Sequence, residues 1–156
     1  MSDGRSSTTG DILPASAPLI RSAQESDADK VLALVGRLGH VVPVEESAFR
    51  QSFAQVLSDA PRTLVHVAVV DGEVAGYALT TINRLLYTNG PSAQLQEIVV
   101  DDSVQTKGVG TALVRAVEQA CEEHGVTQLT VASRRAGGFY DRLGYTQQAE
   151  YMRRLF

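Results

Sequence analysis

The feature that most constrains this chain is the stretch from Val100 to Ala120, where an apolar strand passes through a polar turn into a helix. Two aspartates close the strand, and Gly108 and Gly110 open the helix. The first four backbone N–H groups of a helix have no partner within the helix, and the helix dipole adds positive potential there. Glycines at this point leave those N–H groups uncovered, so the sequence predicts an anion-binding turn.

The turn does not fit either of the common nucleotide motifs. A P-loop requires Gly-Lys-Ser/Thr, which the chain lacks, and the dinucleotide fingerprint requires a third glycine where Leu113 stands. Gly-x-Gly before a helix is a weak signal by itself, and a plain turn without a ligand is the alternative interpretation.

Length and periodicity indicate one α/β domain. A chain of 156 residues buries about two thirds of its unfolded surface, which is enough for a core of its own. Residues 1–17 are rich in Ser, Thr, Gly, Pro and Ala, which predicts a disordered leader before a single domain over 18–156. Asp71-Gly72 predicts a hairpin turn. The predicted elements are strand 18–24, helix 26–39, a helix within 41–59, hairpin 63–86, strand 94–100, helix 108–124 ended by Gly125, strand 127–133, helix 136–144 and strand 149–156.

Composition narrows the possible functions. The net charge of -4 gives no support to a phosphate-driven role on nucleic acid. The longest apolar runs are far shorter than a membrane span, and no secretory signal is visible, so we expect a cytoplasmic protein. The single cysteine, Cys121, is interpreted as a small core residue, with a nucleophile as the alternative. His40, His66 and His124 are scattered without other ligands at metal spacing, so we expect no metal site.

Two segments resemble motifs of the GCN5-related N-acetyltransferase (GNAT) family. The sequence Gln-Thr-Lys-Gly-Val-Gly, preceded by Glu-Ile-Val-Val-Asp-Asp, resembles the family's acyl-CoA-binding motif. The segment Ala-Gly-Gly-Phe-Tyr-Asp-Arg-Leu-Gly-Tyr, from Ala136 to Tyr145, resembles its second motif at the expected spacing. The resemblance covers Leu19 to Phe156. It implies the GNAT fold, a mixed α/β sheet of about six to seven strands flanked by about four helices.

The resemblance also implies a co-substrate and the residues that bind it. Acetyl-CoA is expected, with its pyrophosphate on the backbone amides of the glycine turn and its pantetheine arm paired with the preceding strand. Ser133 stands where many relatives have asparagine. Two interpretations are open for Arg134 and Arg135: they contact the cofactor's phosphates, or they form a solvated basic surface. The expected binding residues are Ile98, Val99, Val100, Gln105, Thr106, Lys107, Gly108, Val109, Gly110, Thr111 and Ser133.

Acetyl transfer to an amine requires two proton transfers. An alkyl ammonium has a pKa of about 10, so a base must remove its proton, and an acid assists the leaving thiolate. By the resemblance, Glu97 is the expected general base and Tyr140 the expected general acid. A solvated or ion-paired carboxylate is the alternative for Glu97, and a packed aromatic beside Phe139 is the alternative for Tyr140. Strand alternation places Glu97 and Val99 on one face. It places Ile98 and Val100 on the other.

The acceptor is an amine of unknown identity, a small molecule or a peptide. Glu45, Glu46 and Tyr87 are candidates for contacting it, although both glutamates also suit the first turn of a helix. An acyl-CoA-binding sensor or an interaction module with little catalysis is the alternative function. The segment from Ala149 to Phe156 is expected to be a last strand that pairs two copies into a homodimer.

Overall fold

The computed structural model describes residues 17–39, 42–133 and 138–156, with the side chains of 105–107 outside that description. The predicted leader also lies outside the described residues, apart from its last position. The strands are β1 Leu19–Ser22, β2 Thr63–Val70, β3 Glu73–Arg84, β4 Pro91–Val100 and β5 Gln128–Val131. The α-helices are α1 Ala28–Val35, α2 Glu46–Ser58, α3 Val109–Glu123 and α4 Phe139–Arg142, and 3-10 helices cover Glu25–Asp27 and Asp102–Lys107.

The five strands form one mixed sheet in chain order, β1-β2-β3-β4-β5. The first three pairings are antiparallel, and β5 lies parallel to β4. The predicted hairpin is confirmed, because β2 and β3 meet at Asp71 and Gly72, which both have positive φ. A parallel partner requires a crossover, and α3 supplies it between β4 and β5. The predicted α/β class and the predicted order of elements up to α4 are confirmed.

Each face of the sheet carries its own core. On one face, α1 and α2 pack through Val31, Leu34 and Phe53 against Tyr77 and Val99. On the other face, the apolar stripe of α3 covers the inward residues of β2, β3 and β4. The buried members of that stripe are Val109, Leu113, Val114, Val117 and Cys121. Cys121 is therefore a core residue, as the packing interpretation predicted, and burial raises the pKa of its thiol to about 11.

A β-bulge at Gln96 divides β4 into two segments. Leu79 pairs with Glu97, but the next residue of β3, Thr80, pairs with Leu95, so Gln96 is the extra residue. A bulge reverses the side-chain alternation beyond it. Leu95 belongs to the core beneath α3, whereas Val99 belongs to the core beneath α1 and α2. Plain alternation would have placed these two side chains on the same face.

The predicted last strand is wrong. In the described residues after α4, the segment 145–156 has no regular secondary structure, and the sheet has five strands rather than six or seven. Its exposed large apolar residues occur in adjacent pairs, Tyr151 with Met152 and Leu155 with Phe156. A strand would send one member of each pair to each face, so the segment cannot present one continuous apolar side. Pairing of two copies through this segment stays a prediction.

Candidate active site

The candidate site is a cleft beside the second half of β4. Pairing between β4 and β5 covers Ser92 to Leu95, whereas pairing between β4 and β3 continues to Val100. The sheet therefore opens beyond Leu95, and a cavity of about 2120 Å³ lies at the opening. That volume exceeds the roughly 300–1,000 Å³ of most small-molecule sites. The cleft has room for a long co-substrate together with an acceptor.

Glu97 lies on the open segment of β4 and lines the cleft. Its side chain lies on the same face as Val99, as strand alternation predicted, and the bulge at Gln96 sets that face opposite to the face of Leu95. Ile98 and Val100 turn toward the core beneath α3, which also agrees with the prediction. Glu97 is half-buried as a residue, and it contributes to the wall of the cleft.

The glycine turn leads from the end of β4 to the N-terminus of α3. The 3-10 helix Asp102–Lys107 contains the backbone of Gln105, Thr106 and Lys107, and their side chains lie outside the description. Gly108 follows with φ of 73°, a left-handed conformation that glycine adopts without strain. The amide of Ala112 donates to the Gly108 carbonyl, so the amides before it belong to the free first turn of the helix.

The two glycines of this turn differ in what surrounds them and in their backbone conformation. A Cβ on Gly108 would meet nothing within 4 Å, so only its φ demands glycine. A Cβ on Gly110 would contact Phe139 at 3.5 Å and Val100 at 3.8 Å, which are ordinary packing distances. The aromatic ring of α4 therefore seats against the first turn of α3, and this contact brings the second motif to the first.

Asp101 organises the entry to the turn, although the sequence analysis did not select it. Its carboxylate accepts hydrogen bonds from the Ser103 amide at 2.9 Å and the Ser103 hydroxyl at 2.8 Å. These bonds, and then the charge of Arg37, hold the pKa of Asp101 below its ordinary value. Arg37 also lies 3.3 Å from Asp102, which ties the segment after α1 to the end of β4. Aspartate two residues before serine is a recognisable capping signal in the sequence.

Tyr140 belongs to an aromatic group on the far wall of the cleft. Its ring packs edge-to-face on Phe139 at 5.0 Å and on Tyr145 at 5.6 Å. The Tyr145 hydroxyl donates to Glu118 at 3.0 Å, which fastens α4 to α3. Burial and this carboxylate raise the pKa of Tyr145. Tyr140 and Glu97 line the same cavity, so the structure places the two predicted proton-transfer residues around one space.

The remaining candidates are distributed unequally. Ser133 lines the cleft after β5, whereas Arg134 and Arg135 lie outside the described residues. Glu46 lies in the first turn of α2 and pairs with Arg50 at 2.8 Å, as expected of a residue that opens a helix.

Tyr87 lies in the loop before β4, at the opposite end of that strand from the glycine turn. Six residues of strand separate Pro91 from Glu97, about 20 Å. The structure therefore does not bring Tyr87 to Glu97.

Two further findings limit the kinds of site that the described residues form. Among the described residues, no group of three or more His, Cys, Asp or Glu side chains is arranged to hold a metal ion. Of the helices in the described ranges, none has both the length and the apolar character needed to span a bilayer.

An open mixed sheet, a glycine turn on a helix N-terminus and two titratable residues around one cleft are the arrangement expected of the family that the two motifs resemble. Comparison with known proteins agrees. The family model described as "Acetyltransferase (GNAT) domain" matches residues 38–154. The chain therefore belongs to the GNAT acetyltransferase family, as the two motifs predicted.

Two relatives show how far the likeness extends. The aminoglycoside N(6')-acetyltransferase type 1 of Stenotrophomonas maltophilia is 33% identical over 124 residues, 77% of this chain and 78% of that protein. The probable glucosamine 6-phosphate N-acetyltransferase of Drosophila melanogaster is 27% identical over 133 residues, 81% of this chain and 59% of that protein. The chain thus spans about three fifths of the Drosophila relative's length.

Solved structures show the same fold. The crystal structure of glucosamine-6-phosphate N-acetyltransferase from Arabidopsis thaliana matches with a TM-score of 0.79 and 22% sequence identity. The match covers 90% of this chain and 99% of the plant protein. At this identity the likeness establishes the fold alone.

Proposed function

We propose that this protein is an acetyl-CoA-dependent N-acetyltransferase that moves an acetyl group from the thioester to a primary amine by direct attack. The observation that carries the proposal is the opening of the sheet beyond Leu95. It leaves the edge of β4 from Ile98 to Val100 facing a cleft that contains Glu97 and Tyr140. Membership of the GNAT family supports the same reaction.

The backbone of this region suits a long anionic substrate. In an antiparallel strand every second N–H and C=O points away from the bonded neighbour, and on this part of β4 that direction is the cleft. We assign Ile98, Val99 and Val100 to the pantetheine arm. The pyrophosphate is assigned to the amides from Gln105 to Thr111, where the dipole of the 15-residue helix α3 favours an anion. Ser133 supplies a hydroxyl from the other wall.

Glu97 and Tyr140 are proposed to move the protons. Glu97 accepts the proton of the ammonium, directly or through water, and frees the nitrogen lone pair. The nitrogen then bonds to the acetyl carbon, the carbon–sulfur bond breaks, and Tyr140 donates its proton to the departing thiolate. The attacking nitrogen loses its second proton to the Tyr140 oxygen, which restores the phenol. The products are an amide, a thiol and the proton held by Glu97, so atoms and charge balance.

The acceptor is proposed to be the amine of an amino sugar. Both relatives described above are named for such acceptors, one for glucosamine 6-phosphate and one for aminoglycosides. The net charge of -4 weakly favours a cationic acceptor such as an aminoglycoside. An acyl-CoA-binding sensor is the second candidate, because the features that bind acetyl-CoA do not depend on turnover.

The test measures coenzyme A release with a thiol reagent and a panel of amines, comprising glucosamine 6-phosphate, an aminoglycoside and a peptide N-terminus. The protein's single thiol, on Cys121, is buried and adds little to the signal. Acetyl-CoA alone is tested by thermal unfolding, and at 100 times its dissociation constant it adds about 2.7 kcal/mol of stability. Stabilisation without release on any amine would favour the sensor. Absence of stabilisation would reject both candidates.

A further inference from the structure

Tyr77 has a buried hydroxyl that nothing in the described structure satisfies. The residue is 2% exposed in the centre of β3, and its hydroxyl has no hydrogen-bond partner among the described residues. Burying a hydroxyl without a hydrogen-bond partner is unfavourable, because the group loses its bonds to water. Phenylalanine would fill the same space without that cost. The hydroxyl therefore calls for a functional explanation.

The register of the sheet places this hydroxyl beside Glu97. Tyr77 pairs with Val99, and Leu79 pairs with Glu97, so Tyr77 and Glu97 are diagonal neighbours on antiparallel strands. Diagonal pairs on one face lie within reach of long and aromatic side chains. The bulge at Gln96 creates this relation, because without it Glu97 would share the face of Leu95 and point away from Tyr77.

We propose that the Tyr77 hydroxyl positions the carboxylate of Glu97 by donating a hydrogen bond to it through one water. Tyr77 is a donor that stays neutral, since burial and the nearby carboxylate both raise its pKa. A neutral donor stabilises the ionised carboxylate without adding a positive charge that would repel a cationic amine. Tyr77 is thus a positioning residue, and its contribution to rate rests on the proposed role of Glu97.

The charged side chains on this face are engaged with other partners. On α1, Lys30 pairs with Glu73 at 2.8 Å, Asp29 pairs with Arg50, and Arg37, just after the helix, lies near Asp101 and Asp102. On α2, Arg50 also bonds to Glu46, at 2.8 Å. These pairs use the cations of both helices that cover Tyr77. Among the described residues, the Tyr77 hydroxyl is a buried donor that the register places on the diagonal to Glu97.

The test is the pKa of Glu97, read by carbon-13 NMR of its carboxyl carbon in a pH titration of the whole protein. The signal is assigned by its loss in Glu97→Gln. We expect Tyr77→Phe to raise this pKa by about one pH unit, a tenfold change in proton affinity of the size of one hydrogen bond to a charge. Tyr87→Phe, on an exposed tyrosine in the loop before β4, is the matched control and should leave it unchanged.

The rate supplies a second readout. With an active acceptor, Tyr77→Phe should move the acidic limb of kcat upward in pH by the same amount and leave KM for acetyl-CoA unchanged. An unchanged pKa of Glu97 in Tyr77→Phe would overturn the proposal. A shifted pKa combined with full activity of Glu97→Gln would uphold the contact and reject Glu97 as the base, so the two failures are distinguishable.

Discussion

The two sides of β4 differ although one strand supplies both. Toward β3 the strand is paired along its length, from Pro91 with Arg84 to Val100 with Gly76. Toward β5 the pairing stops at Leu95, and the cleft begins there. The paired side holds the sheet together, and the open side presents backbone and carboxylate to a ligand. One strand can serve both purposes because hydrogen bonds on one edge are enough to fix its path.

The bulge, rather than the residue types, separates the part of this strand that packs in the core beneath α3 from the part that carries Glu97. Leu95 and Glu97 are two residues apart, yet Leu95 enters the core beneath α3 and Glu97 turns to the opposite face. Substitutions before and after Gln96 should therefore fail in different ways. A change at Leu95 should lower stability, and a change at Glu97 should lower turnover.

The largest effect is expected on the open side. Glu97→Gln keeps the shape of the side chain and removes the base, so kcat/KM should fall about 10²- to 10⁴-fold with loss of the acidic limb of the pH profile. Affinity for acetyl-CoA, measured by calorimetry, should be unchanged and serves as the control. A variant that keeps both rate and pH profile would leave Glu97 without a role in proton transfer.

The next effect concerns the segment of β4 before the bulge. Leu95 is 2% exposed, so Leu95→Ala leaves a cavity in the core beneath α3 and should cost about 2–5 kcal/mol of unfolding free energy. Urea unfolding gives this value. Activity per folded molecule should stay near that of the original protein. Loss of activity without loss of stability would contradict the division at Gln96.

A smaller effect is expected on the wall opposite β4. Tyr140→Phe retains the ring stacking and removes the hydroxyl, and turnover should fall about tenfold to a hundredfold, since a thiolate leaves readily even without an acid. Tyr145→Phe is the matched control, because it loses a hydrogen bond to Glu118 but no proposed catalytic group. Equal rates in the two variants would show that Tyr140 acts by packing alone.

The smallest effect is a pH dependence of stability, and it concerns β1, the edge strand farthest from the cleft. There Arg21 on β1 donates two hydrogen bonds to the buried carboxylate of Asp27, at 2.8 and 2.9 Å, and these lower the pKa of Asp27. The ionised form favours folding, so its contribution is present above the unfolded pKa of about 4 and is lost as pH falls through the lower folded pKa.

Urea unfolding at pH 6 and pH 3 measures that contribution. Asp27→Asn should have a lower free energy of unfolding at pH 6. Its free energy of unfolding should also change less between pH 6 and pH 3 than that of the original protein. Asp29→Asn removes an exposed pair with Arg50 and should behave nearly as the original protein does. If the free energy of unfolding of Asp27→Asn changed as much between pH 6 and pH 3 as that of the original protein, other groups would cause the change.

Local signals in the sequence predicted most of the fold. The hairpin at Asp71-Gly72, the amphipathic α3 ended by Gly125 with its positive φ, and the helix that opens near Glu46 were all visible as short patterns. The last strand was wrong, because the large apolar residues of 149–156 stand in adjacent pairs and give neither face of a strand a continuous apolar side. The bulge at Gln96 was missed because the extra residue is recognised only against the register of β3.

The sequence alone was enough to indicate the family and a short set of candidate residues, because turns, helix ends and motifs are local in the chain. The tertiary structure decided which of these residues face one another. Strand pairing places Glu97 at the cleft and Tyr77 next to Glu97. The spacing of residues along the chain does not reveal this pairing. Strand pairing joins residues distant in sequence, and a single extra residue reverses every side chain beyond it.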